Sequence, residues 1–305
     1  TPIAIIIRNS GHNSGDYDAL KDLYRPGHAD WAWEAKYGLR DHRGGGRSSG
    51  RETAGRVAAG AVAKVFLSSC GINVRAWTAA AAGIEAPGPG QTGFDPDEAE
   101  RNPLRVPCKK TADQITAKLE ELRAAGDSAG GIAACSISGL PAGLGEPVFD
   151  KLGALLGHAV LSIGGCKGIE FGAGFAAAGS TGSANNDAPA FPPGALNSGY
   201  PGGQKSVPNG SAKGVLNGGS FKTNNSGGML GGISNGMEVF FRAAFKPTAS
   251  VAAEQSTVDR NGAPRQISVQ GRHDICIVPR AVPVVEAMSS LVIADLLLMQ
   301  RSVAL

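Results

Sequence analysis

Several functional classes are poorly represented in this sequence. Its 305 residues hold five cysteines (Cys70, Cys108, Cys135, Cys166 and Cys276), and no two stand in CxxC spacing. Scattered thiols in odd number read as reduced, mostly buried side chains in a reducing compartment. Five histidines are present, none paired at metal-ligand spacing, so no metal site is expected. Aromatic residues are only 6% and formal net charge is only +3. A basic protein that stacks on nucleic acid shows more of both, so no nucleic-acid partner is expected. The apolar run from Ala281 to Leu298 is interrupted by Glu286 and Asp295, which fits a soluble helix better than a membrane span. The glycine-rich stretch Asp41–Arg56 holds neither a GxxxxGK[ST] loop nor a GxGxxG behind a strand. The sequence opens without Met on Ile3–Ile7, which reads as a strand and is too short for a signal core. A strand at that position carries the expectation that a further segment precedes it.

What the chain does contain is glycine, 45 residues of it, within a globular composition that is 42% hydrophobic. A helix is expected to begin near Ser49, where Ser49 and Glu52 form a capping-box pattern, with Val57, Val62, Val65 and Phe66 inward and Gly71 as its stop. Thr111 and Gln114 repeat the pattern before Ile115, Leu119 and Leu122, and Gly126 closes that helix. Ile132–Ser138 and Met237–Phe245 read as strands, with Gln266–Gln270 as a further candidate. Pro147–Val160 reads as a helix with Val148, Leu152, Leu155 and Leu156 inward, and Val282–Val303 as the last helix. Residues 172–228 are rich in Gly, Ser and Asn without periodicity, as functional lids or disordered linkers are. No linker separates independent domains, and the mixture predicts one α+β unit.

Four constellations carry chemistry. In the stretch from Asp41 to Arg56, Gly44, Gly45 and Gly46 let backbone amides approach an anion at a helix start. Arg43, Arg47, Arg51 and Arg56 add forked donors suited to phosphate or carboxylate. His28 sits on the turn Arg25-Pro26-Gly27-His28-Ala29-Asp30, where it can exchange a proton near neutral pH; a surface or capping role is the plainer alternative. Arg272, His273 and Asp274 follow one another after a strand, either as an anion clamp with a proton relay or as a surface ion pair. Lys246-Pro247-Thr248-Ala249-Ser250 ends a strand with a cation and two hydroxyls. His158, among apolar neighbours, reads as a packed core histidine.

Together these stretches resemble the chorismate synthase family. The matching segments are YRPGHADW (Tyr24 to Trp31), RDHRGGGRSSGRETAGRVAAGAV (Arg40 to Val62) and CSISGLPAGLGEPVFDKL (Cys135 to Leu152). NNSGGMLGGISNGM (Asn224 to Met237), FKPTASV (Phe245 to Val251) and GRHDICIVPRAVPVVEAM (Gly271 to Met288) complete the set, in the family's order. The resemblance implies a β-α-β sandwich of the chorismate synthase type, an α+β domain spanning residues 1–305, with 172–228 a long loop region within it. It implies a 1,4-elimination of phosphate from 5-enolpyruvylshikimate-3-phosphate that yields chorismate and needs reduced FMN, with NADPH as a candidate reductant. It also implies a homotetramer in the cytoplasm, or in a plastid if a transit peptide precedes the chain. Carried over by position, His28 and Asp274 are the proton-transfer residues. FMN contacts fall on Arg47, Ser48, Ser49, Gly164, Gly165, Gly231, Lys246, Pro247, Thr248, Ala249, Ser250 and Arg272, and substrate contacts on Arg51 and Arg272.

The sequence departs from the family's pattern in places. Gly164-Gly165 stands where Asn-Ala is common, Gly50 and Gly55 where Ala is common, and Ile275 where Pro is usual. The family's GESHG-like motif, with the histidine assigned to the leaving phosphate, and an arginine-rich substrate stretch precede the position of Thr1. The expectation is therefore that these 305 residues alone turn over poorly. The competing expectation is a flavin- or polyanion-binding fragment without the chemistry.

Overall fold

In a computed structural model of the chain, the residues described are 2–9, 17–18, 20–43, 50–190, 221–269 and 273–303. Helix α1 spans Asp30–Tyr37, and a 3-10 turn at Gly50–Glu52 leads into α2, Thr53–Ser69. Strands β1 (Asn73–Ala81) and β2 (Ile84–Glu85) follow, then helices α3 (Glu98–Arg101) and α4 (Lys109–Ala124). Next come β3 (Gly131–Ser138), α5 (Leu152–Leu161), β4 (Cys166–Phe171) and α6 (Gly182–Asn185). The remaining elements are β5 (Met229–Leu230), β6 (Ile233–Ser234), β7 (Val239–Phe245), β8 (Gln255–Val258), β9 (Pro264–Ile267) and α7 (Val278–Val303). One sheet has the order β2-β1-β3-β7-β4, and β5–β6 and β8–β9 form two-stranded sheets. Helices and sheets are mixed as the α+β expectation requires.

The chain divides into two compact units, Thr1–Gly55 with Thr78–Ile132 and Phe245–Pro279, and Arg56–Trp77 with Ala133–Ala244 and Arg280–Leu305. In the first, Ile115 and Leu119 of α4 are buried as their i, i+4 spacing predicts. Leu20, Ile267 and Val269 form a smaller cluster with Tyr17 and Leu23. α4 starts two residues before the expected capping box, with Cys108 at its N-cap and no side-chain cap. Thr111 is instead buried, so core packing took the residue from the cap.

In the second unit, α7 supplies Val282, Val285 and Ile293, all fully buried. α7 is long and apolar enough to cross a bilayer by length and composition, but half of it is buried inside the protein. It begins four residues earlier than expected, at Val278, and accommodates Pro283 within its length. The inward face of α2 differs from the expected one. Gly60, Ala63 and Leu67 are buried, whereas Val62 and Val65 are 43% and 74% exposed. The cause is a close helix crossing: a Cβ on Gly60 would stand 2.3 Å from Ala287 Cβ, so only small residues fit there.

Residues 2–9 form no strand, and Ile3 and Ile6 are 72% and 83% exposed; among the described residues nothing supplies the ladder a strand requires. α5 starts at Leu152, leaving Val148 64% exposed. His158 is exposed on it, because Leu156, Gly157, Ala159 and Val160 occupy the buried side. β7 matches its alternation, with Val239, Phe241, Ala243 and Phe245 buried.

The ends of the glycine-rich region are anchored. Asp187 Oδ1 accepts from Thr223 Oγ1 at 2.6 Å and Asn225 N at 2.7 Å, and Oδ2 accepts from Ser226 N at 2.8 Å. Burial opposes the charge on Asp187, yet these donors prevail and hold its pKa below the ordinary carboxylate value. Residues 191–220 lie outside the described set.

Candidate active site

The turn before α1 is organised by a buried carboxylate. Asp30, 3% exposed, accepts from Arg25 through its backbone N (3.1 Å), Nε (2.8 Å) and Nη2 (2.9 Å). Arg40 Nη1 reaches the same carboxylate at 3.0 Å. Arg40 also donates to the carbonyls of Leu20, Lys21 and Leu23 and lies over the Tyr24 ring. His28 Nδ1 stands 2.8 Å from Asp30 Oδ1, with the imidazole 38% exposed. Burial raises the pKa of Asp30, but hydrogen bonds from Arg25 and His28 and the adjacent charges override it, leaving the carboxyl well below the usual range. Asp30 and Arg40 have no role in the sequence reading. The signal was the short His28-x-Asp30 spacing, which lets one turn close imidazole on carboxylate.

That turn is fastened to the Lys246–Ser250 segment. Lys246 Nζ donates to the Gly27 carbonyl, and a Cβ on Gly27 would lie 3.7 Å from Ala249 Cβ. The segment is seated on residues 128–130: Ser128 Oγ donates to Thr248 O at 2.8 Å, and Gly130 packs so closely that an added Cβ would stand 2.5 Å from Phe245 O. The same seat holds the segment after Arg272, since Ala129 N donates to Ile275 O at 2.7 Å and Ala129 bridges Cys276. His28, Lys246–Ser250 and half-buried Asp274 thus belong to segments tied to one another within a single unit. An open groove of about 570 Å³ beside Pro247 is lined by Ala80, Glu85, Lys118 and Ile132 but by neither His28 nor Asp274, so it is not the candidate site.

Six described side-chain atoms are buried without a hydrogen-bond partner, and two fall in these segments, Thr248 Oγ1 and His273 Nε2. A buried polar group left unpaired costs about 1–3 kcal/mol. A ligand rich in acceptors, such as a phosphate-bearing flavin, would relieve the Thr248 hydroxyl, so the residues present fit one.

The arginines of the glycine-rich stretch do not all point to one ligand. Arg43 closes on Asp41, with Nε to Oδ1 at 2.8 Å, and this hydrogen bond holds Asp41 down at about 2. Arg56 donates to Ser162 Oγ at 2.6 Å in the second unit. Arg51, in the first, donates to Asn9 Oδ1 at 3.0 Å. Arg47, Ser48, Ser49 and Arg272 lie outside the described residues. Gly164, Gly165 and Gly231 all belong to the second unit. Gly231 (φ +62°) and Gly232 (φ +97°) make the tight turn between β5 and β6, where paired left-handed residues match the strand twist. The hairpin is clamped through Ser234 Oγ, which donates to Pro141 O at 2.6 Å and accepts from Leu144 N at 2.9 Å.

With this geometry in place, comparison with known proteins is decisive. The family profile described as chorismate synthase matches residues 1–298. The chain belongs to the chorismate synthase family. It is 49% identical over 305 residues to the chorismate synthase of Syntrophus aciditrophicus (strain SB), covering all of this chain and 78% of that protein. The chorismate synthase of Desulfovibrio desulfuricans (strain ATCC 27774) is 47% identical over 306 residues, again covering this whole chain and 78% of the relative. A crystal structure of a chorismate synthase superposes with a TM-score of 0.67 at 29% identity, covering 89% of this chain and 70% of that one. The shared fold and family make this chain a carbon–oxygen lyase of aromatic amino acid biosynthesis.

Proposed function

We propose that the chain catalyses the 1,4-elimination of phosphate from 5-enolpyruvylshikimate-3-phosphate to give chorismate, with reduced FMN bound. In that reaction the C6–H electron pair becomes part of the new diene and the phosphate departs with its C–O pair. The observation that carries the reading is the fastening of the His28 turn to Lys246–Ser250, beside the unpaired hydroxyl of Thr248.

On this reading FMN is held by Arg47, Ser48, Ser49, Gly164, Gly165, Gly231, Lys246 to Ser250 and Arg272. When bound and reduced, it supplies electron density and a basic nitrogen. Arg51 and Arg272 bind the anionic groups of the substrate, where preorganised donors stabilise developing charge. His28 exchanges a proton through its imidazole, and Asp274 serves the second proton transfer. NADPH as reductant, a homotetramer, a single catalytic domain and a cytoplasmic setting complete the proposal.

The test is anaerobic turnover alongside FMN titration, in the full-length protein and in its His28→Ala variant. A general acid–base residue contributes about 10²- to 10⁴-fold. His28→Ala is expected to lose turnover on that scale while the FMN Kd stays within about threefold, the mark of a group that acts in the chemical step. Turnover within about twofold of the parent, only ~0.4 kcal/mol of barrier, overturns the role of His28.

A further inference from the structure

We propose that Asp30 is the positioning residue of His28, fixing its neutral ring in the form that carries hydrogen on Nδ1 and leaves Nε2 available for proton exchange. The inference rests on the reading of His28 as a proton-transfer residue, and adds a residue that the reading does not contain.

The carboxylate is a fixed anchor. Arg25 holds it through a backbone amide and both edges of its fork, while Arg40 holds it from a guanidinium tied to three backbone carbonyls. With the side chain 3% exposed, there is no solvent space into which it can turn. A ring bonded to such an anchor keeps its orientation, and locked supporting partners are what hold a reacting group in productive geometry.

Nδ1 lies between two partners that dictate opposite tautomers. Asp30 Oδ1, at 2.8 Å, can only accept and so demands hydrogen on Nδ1. Arg25 Nη2, at 3.1 Å, can only donate and would demand a bare Nδ1. Asp30 prevails for two reasons: its contact is the shorter, and Arg25 Nη2 already donates to Asp30 Oδ1 at 2.9 Å. Of the neighbouring cations, Arg40 is engaged with Asp30 and three backbone carbonyls and Lys246 with the Gly27 carbonyl.

Nitrogen-15 NMR of histidine-labelled protein reads the tautomer directly, with His28 assigned by its loss in His28→Gln. The unmodified protein is expected to show a protonated Nδ1 in the neutral ring. Hydrogen on Nε2 instead overturns the proposal and makes Arg25 the governing partner, a result that does not depend on any variant folding. In Asp30→Asn, checked for folding by circular dichroism, the amide can turn its NH2 toward Nδ1. The neutral ring is then expected to shift toward the Nε2–H form, with turnover down at least about tenfold and the FMN Kd within about threefold. An unchanged tautomer overturns the proposal. A shifted tautomer with unchanged turnover supports the positioning and removes the proton role assigned to His28, so the two failures are distinguishable.

Discussion

Gly60 of α2 crosses Ala287 of α7 so closely that a Cβ on Gly60 would lie 2.3 Å from Ala287 Cβ and 2.5 Å from its Cα. The obstacle is partly backbone, so it cannot rotate away. Gly60→Ala is expected to destabilise the protein by about 1–3 kcal/mol through overpacking, despite the better helix propensity of alanine. Gly55, near the start of the same helix, has nothing within 4 Å of a built Cβ, and Gly55→Ala is expected to add about 0.5–1 kcal/mol. Denaturant midpoints of the two variants should therefore move in opposite directions.

Asp30 gives stability a pH dependence of known sign. Its folded pKa lies below the ordinary 3.8, so its contribution is fully present above that value and is lost as pH falls through the folded pKa. At about pH 7, Asp30→Asn should cost about 3 kcal/mol, because it strands Arg25 and Arg40 in a buried setting. Thermal melts on an acid series should show the gap between parent and variant narrowing below the ordinary carboxyl value. A gap independent of pH would contradict the assignment.

The β5–β6 turn separates two glycine requirements. Gly231→Ala meets no neighbour within 4 Å at φ +62°, so only the left-handed conformation is penalised, by about 1–2 kcal/mol. Gly232→Ala adds collisions with Lys151 Cγ at 2.4 Å and Glu146 O at 2.7 Å, and should be the more destabilising. If Gly231 contacts FMN as proposed, its alanine variant should also weaken FMN binding at unchanged secondary structure, read by flavin titration and circular dichroism.

Thiol labelling should rank the cysteines. Backbone hydrogen bonding from Thr111, with help from its side chain, lowers the pKa of Cys108, and the residue is only partly buried. Burial pushes Cys135 strongly upward, and Cys276 and Cys166 in the same direction. Since the thiolate is the reactive form, mass spectrometry after brief iodoacetamide treatment should find Cys108 alkylated well before those three.

Legibility in the sequence followed how strongly the side chains announce their surroundings. β7 was readable because bulky residues alternate, and α4 because Ile115 and Leu119 share a face. β1 was not, because NVRAWTAAA is dominated by alanine, which carries little strand preference, and its latter half is buried on both faces. The inward face of α2 was misjudged because close crossings select small residues while the large apolar ones, Val62 and Val65, face out. At the site, the His28 turn and the Lys246–Ser250 segment were legible as motifs. That Lys246 ties them together, and that Asp30 anchors His28, depends on contacts no spacing rule encodes.

The pairing of α2 with α7 also imposes an order in time. Glu286 accepts from Lys64 with one oxygen and from Ala76 N at 2.9 Å with the other. Lys64 and Glu286 are 222 residues apart in the chain. At translation rates of about 5–20 residues per second, roughly 10–40 s pass between the synthesis of the two. Throughout that interval the Gly60 surface of α2 has no α7 to close it, and the growing chain waits for α7 to complete that crossing.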